Sequence, residues 1–89
     1  MKCECLAQAC KAMCDCNRIK ILSYLKDGER CVCEIQKKTK LPQNLVSHHL
    51  GVLRKAELIT ARREGKWIRY SLNEKEIRKI SKNLDFLDS

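Results

Sequence analysis

No stretch of the 89 residues is long and apolar enough to cross a membrane, and the opening Met1-Lys2-Cys3-Glu4 has no apolar core of a signal peptide. Neither export nor a membrane partner is therefore expected, and the chain reads as cytoplasmic. Glycine is scarce, with three residues scattered singly, so there is no glycine-rich phosphate loop. No nucleophile is flanked by an acid/base pair either, so neither an enzyme nor an organic cofactor is expected. Internal repeats and low-complexity segments are absent. Acidic side chains are in the minority, 11 against 19 Lys and Arg, for a formal charge of +8. A chain of this length makes one domain, 1–89, whose core is marginal alone. A second copy is the simplest source of further burial.

Cysteine, by contrast, is abundant: seven residues, an odd number. Three pairs are spaced Cys-x-Cys, namely Cys3/Cys5, Cys14/Cys16 and Cys31/Cys33, too close for an unstrained disulfide framework. With thiols kept reduced in the cytoplasm, ligation of a metal or metalloid is the better account. Cys31 and Cys33 are the decisive pair. Side chains two apart on a regular helix point roughly 200° apart, so gripping one ion requires the start of that helix to be irregular. Thiophilic ions take three or four sulfurs, which makes Cys3 and Cys5, then Cys14 and Cys16, the candidates to complete the site, from the same subunit or a partner. Cys10 falls on an apolar helical face and reads as core.

The segment from Thr39 to Tyr70 carries the second signal. Leu45, Val46, Leu50 and Leu53 form one apolar stripe of a helix that Pro42 opens as a first helical residue. Its other face carries Gln43, Asn44, Ser47 and His48, short polar groups suited to base edges in a major groove. His49 falls on the inward face. Gly51 faces forward and allows close approach to DNA or is simply a helix defect. Ile59 to Arg63 and Trp67 to Leu72 then alternate as a hairpin reversing at Glu64-Gly65, with Trp67 as hairpin core. Arg62, Arg63, Lys66 and Arg69 crowd its tip, where phosphates are the natural target. A solvated basic hairpin without a partner is the alternative. Of the +8, +5 lies between Thr39 and Ser71.

The remaining elements fill in around this unit. A first helix runs from about Cys5 to Met13, after an arm over residues 1–5. Asp15 or Asn17 caps a second, with Ile19, Leu22 and Leu25 inward, and Gly28 stops it. A third, with Val32 and Ile35 inward, ends before Thr39 and completes a helix-turn-helix over about residues 31–57, with Lys40 in a turn where glycine is often found. The hairpin spans about 58–72. Asn73 and Glu76 have capping-box spacing for a last helix over about 73–87. Its seam of Ile77, Ile80, Leu84 and Leu87, with Leu6 and Met13 of the first helix, is expected to pack against a second subunit. The fold class is thus mainly α with a β-hairpin, in the order α-α-α-α-β-β-α.

Four segments together resemble one family. They are Asp15-Cys16-Asn17-Arg18-Ile19-Lys20-Ile21-Leu22, Cys31-Val32-Cys33-Glu34-Ile35, Val46-Ser47-His48-His49-Leu50 followed by Leu53-Arg54-Lys55-Ala56, and Arg63-Glu64-Gly65-Lys66-Trp67-Ile68-Arg69-Tyr70. The resemblance is to the ArsR/SmtB metal-sensing winged-helix repressors, and it covers nearly the whole chain. Cys-Val-Cys-Glu and Glu-Gly-Lys-Trp are closest to the arsenite and cadmium/lead sensors. It implies a dimeric winged helix-turn-helix that binds operator DNA, represses a resistance or efflux operon, and leaves DNA when As(III), Cd(II) or Pb(II) binds the Cys-x-Cys pair. The chain departs from the family pattern at Cys16, where proline is common, at Gln36, where some arsenite sensors carry a third cysteine, and at Pro42, where serine often caps. Its last helix lacks the His and acidic residues of the family's zinc site. The alternatives are a thiol-redox regulator on the same fold and a cysteine-rich metal buffer.

Overall fold

The computed structural model describes residues 2–84. Five helices and three short strands follow in the order α1 (Cys3–Met13), α2 (Cys16–Lys26), β1 (Arg30–Cys31), α3 (Val32–Thr39), α4 (Gln43–Lys55), β2 (Ile59–Glu64), β3 (Trp67–Leu72) and α5 (Glu74–Asn83). The mainly helical reading with a hairpin holds, and β1 is an addition to it. It pairs antiparallel with β3, Cys31 opposite Arg69, so the sheet runs β1-β3-β2 and the hairpin is tied back to the start of α3.

Local chemistry sets the element ends. The Asp15 carboxylate accepts hydrogen bonds from the Asn17 and Arg18 amides at 2.9 and 3.2 Å, so Asp15, rather than Asn17, caps α2. Those donors, Arg18 first, hold its carboxyl below the usual carboxylate range. Lys40 closes α3 in the left-handed conformation, with φ 60°, the place usually given to glycine. Pro42 sits one residue earlier than expected, as the N-cap of α4 rather than its first helical residue; its φ of −59° is helical but its ψ of 149° is extended. The hairpin reverses at Gly65-Lys66, one residue later than the spacing suggested, because Glu64 still pairs with Trp67.

The core gathers Ala9 and Ala12 of α1, Ile21 and Leu25 of α2, Ile35, then Val46, Leu50 and Leu53 of α4, Leu58, Ile59 and Ile80. Several apolar residues depart from the expected stripes. Ile21, not Ile19, enters the core; Ile19 and Leu45 are exposed, and Leu22 is half-buried. Trp67 is 51 % exposed and is no hairpin core. Cys10 is only half-buried. Residues 3–5 belong to α1, which starts two residues earlier than the spacing suggested. Ile80 packs into the protomer's own core, while Leu84 stays exposed and Leu87 lies outside the described residues.

Candidate thiol site and nucleic-acid interface

Cys31 ends β1 and is the N-cap of α3, and Cys33 lies within the first turn. The extended φ, ψ of −88° and 166° at Cys31 breaks the helical spacing that would have pointed the two thiols apart. Their Sγ atoms are 2.7 Å from one another. The pair is held by a capping box in which cysteine replaces the usual serine, the Glu34 carboxylate accepting from the Cys31 amide at 3.1 Å. That bond lowers the Glu34 carboxyl pKa, and burial raises that of Cys31. Cys31 is buried and Cys33 exposed, so the site opens on one side.

Around the thiols is a hollow of about 300 Å³ lined by Val32, Gln36, Gln43 at the start of α4, and Lys66, Trp67 and Ile68 of the hairpin tip. Within the protomer the other candidate ligands do not come to it. Cys3 and Cys5 are exposed on α1, and Cys5 borders a separate hollow with Lys55, Glu57 and Glu76. Cys14 and Cys16 are exposed on either side of Asp15. All seven cysteines fall among the described residues, and there no group of three Cys, His, Asp or Glu side chains is placed to hold one ion.

Gln43, Asn44, Ser47 and His48 are all exposed along α4, as a groove-reading face requires. His49 turns inward, 7 % exposed. The Arg18 guanidinium donates to its Nδ1 at 3.3 Å and to the Ala12 carbonyl at 2.6 Å. A guanidinium only donates, so Nδ1 of His49 is the acceptor in this contact. Arg18, which the sequence did not single out, thereby ties α1 and α2 to the back of α4.

The hairpin charges divide into two sets. Arg62 pairs with Glu29 at 2.6 Å and Glu64 at 2.9 Å, and Arg69 lies 3.6 Å from Glu64 and 3.9 Å from Glu34. Glu29 and Glu64 are both held below the usual carboxylate range, chiefly by Arg62, whose own pKa rises in return. Arg62 and Arg69 are therefore committed to a chain of ion pairs joining the hairpin to the loop before β1 and to α3. Arg63, whose Nε donates to the Gly65 carbonyl, and Lys66, beside the Trp67 ring, make no ion pair among the described residues. They are the exposed cations at the tip. No helix of the described residues is long and apolar enough to cross a membrane.

This architecture has known counterparts. A family model described as a bacterial regulatory protein of the arsR family matches residues 15–61. The chain is 40 % identical over 87 residues to an uncharacterized HTH-type transcriptional regulator of Methanocaldococcus jannaschii, spanning 97 % of this chain and 98 % of that protein. It is 33 % identical over 84 residues to the arsenical resistance operon repressor of Staphylococcus xylosus, with 94 % and 81 % of the two chains covered. Among solved structures, a homodimeric winged helix-turn-helix DNA-binding domain from Mycobacterium bovis superimposes with a TM-score of 0.80 at 30 % identity, over 96 % of this chain and 80 % of that one. With α3 and α4 as the helix-turn-helix and β2–β3 as the wing, the chain belongs to the arsR family of bacterial regulatory proteins.

Proposed function

We propose that the protein is a metal- or metalloid-responsive repressor. As a homodimer it binds operator DNA through α4 and the wing, and it is released when a thiophilic ion, arsenite first and cadmium or lead next, binds Cys31 and Cys33. The observation that carries this reading is the position of the two thiols, in one hollow walled by the first residue of the recognition helix and by the wing tip. The site thus lies between both DNA-reading parts. A ligand moves an equilibrium only by its differential affinity for the two states, and a ligand at this junction has the means to distinguish them. The relative from Staphylococcus xylosus is an arsenical resistance repressor, which agrees with the ion class. Gln43, Asn44, Ser47 and His48 are assigned to the major groove, and Arg63 and Lys66 to phosphates.

Fluorescence anisotropy with DNA from upstream of the gene tests the reading. Arsenite or cadmium is expected to release wild-type protein and to leave the Cys31→Ser/Cys33→Ser variant bound. Release of the variant by the same ions would remove the pair from the mechanism. The closeness of the two sulfurs also favours a second reading, a thiol-redox regulator; under it hydrogen peroxide releases DNA and the ions do not.

A further inference from the structure

We infer that the Cys31/Cys33 site is built for a monosubstituted trivalent arsenical, an arsenic(III) centre that carries one apolar organic group. This deepens the proposed function and rests on the same thiol pair. The first ground is valence. Arsenic(III) makes three bonds, so inorganic arsenite needs three thiols to be fully sulfur-bound, whereas a centre already bonded to carbon needs two. Two is what a protomer offers, since no third ligand joins Cys31 and Cys33 among the described residues. Gln36, on the wall of the hollow, supplies no thiol.

The second ground is the shape and lining of the site. A hollow of about 300 Å³ is far larger than a bare ion requires, and three of its walls are the apolar side chains Val32, Trp67 and Ile68. Trp67 and Ile68 are 51 % and 42 % exposed, so the wing tip spends its large apolar groups on the rim of this hollow instead of the core. An aromatic substituent held at arsenic by the two sulfurs would lie against them and leave water.

The chemistry balances without an oxidant or reductant. The dihydroxy form of the arsenical loses two As–O bonds and gains two As–S bonds, one to each Sγ. The two thiol protons depart with the hydroxyls as two waters, and arsenic stays trivalent.

The test compares phenylarsine oxide with sodium arsenite as agents that release DNA from the full-length protein, by anisotropy, in wild type, Trp67→Ala and Cys31→Ser/Cys33→Ser. Phenylarsine oxide is expected to release wild-type protein at a concentration at least roughly tenfold below arsenite, the order of gain from burying an apolar group of that size. Trp67→Ala should lower the potency of phenylarsine oxide several-fold more than that of arsenite, each agent being compared with its own effect on wild type at matched DNA occupancy. If arsenite is the stronger agent, or if Trp67→Ala weakens both alike, the inference falls and the proposed function stands, a third thiol then coming from the partner copy. If the double cysteine variant still responds to both agents, the inference and the proposed function fall together.

Discussion

Cys31 shows how one residue sets the behaviour of the site. Burial holds its pKa above the ordinary thiol value of 9.0, so near neutrality it carries a proton that a divalent cation must displace. A cadmium ion bound at Cys31 must displace that proton, so its apparent affinity should climb with pH through the neutral range. An arsenical trades thiol protons for water, so its affinity should stay nearly flat over the same range. Competition titrations from pH 6 to 9 measure both slopes, and equal slopes would contradict thiol capture as described. The wing arginines differ in the same residue-specific way. Arg63→Ala should weaken binding to all DNA sequences alike and reduce the steepness of its salt dependence, each phosphate contact contributing roughly 0.9 to that slope. Arg62→Ala, which removes a guanidinium already paired with Glu29 and Glu64, should leave the slope almost unchanged.

Among the elements, α4 carries a glycine in its interior that its surroundings do not require. Gly51 lies inside this helix, where glycine costs about 1 kcal/mol against alanine, yet a Cβ built there meets nothing within 4 Å. Among the described residues nothing packs against this position. Gly51→Ala should therefore raise stability by roughly 1 kcal/mol in urea unfolding, and weaken operator binding if the helix backbone approaches the groove wall. Tighter binding by the variant would show that the glycine has no part in recognition. The periodic elements were legible because their signals are local: the polar face of α4, the inward His49, the hairpin alternation and the Asn73 cap of α5 all follow from neighbours in the chain. The misses trace largely to β1. Two residues, Arg30 and Cys31, are too short to show alternation, and their pairing with β3 brings Glu29 and Glu34 beside Arg62 and Arg69 from about 35 positions away in the chain. Without that strand the arginines read as free cations, and the two thiols could be joined only by supposing an irregular helix start. In α2 the apolar residues Ile19, Ile21, Leu22 and Leu25 fall on more than one face, so spacing alone does not choose the buried ones.

For the molecule as a whole, the question is where the additional burial that so small a core calls for is found. Leu6, Met13 and Ile77 are partly spent on the protomer, packed against its core, and Ile80 is fully spent at 4 % exposure. Leu84, the C-cap of α5, is 38 % exposed and is the part of the seam proposed to meet a partner. The two ends of one seam should then fail in different ways. Ile80→Ala empties a core position and should cost about 2–5 kcal/mol of stability at any protein concentration. Leu84→Asp touches little of the protomer and should instead shift the monomer–dimer equilibrium toward monomer, with a melting temperature below that of wild type and nearly independent of protein concentration where the variant is monomeric. Sedimentation equilibrium and thermal melts over a hundredfold concentration range read both effects. A Leu84→Asp protein that stays dimeric at the lowest concentration would place the subunit contact elsewhere, with the exposed side of α1 next to be tested. Because operator half-sites lie about one DNA turn apart, the same variant should also lose affinity for a two-half-site operator far more than for a single half-site, for which only one α4 is needed.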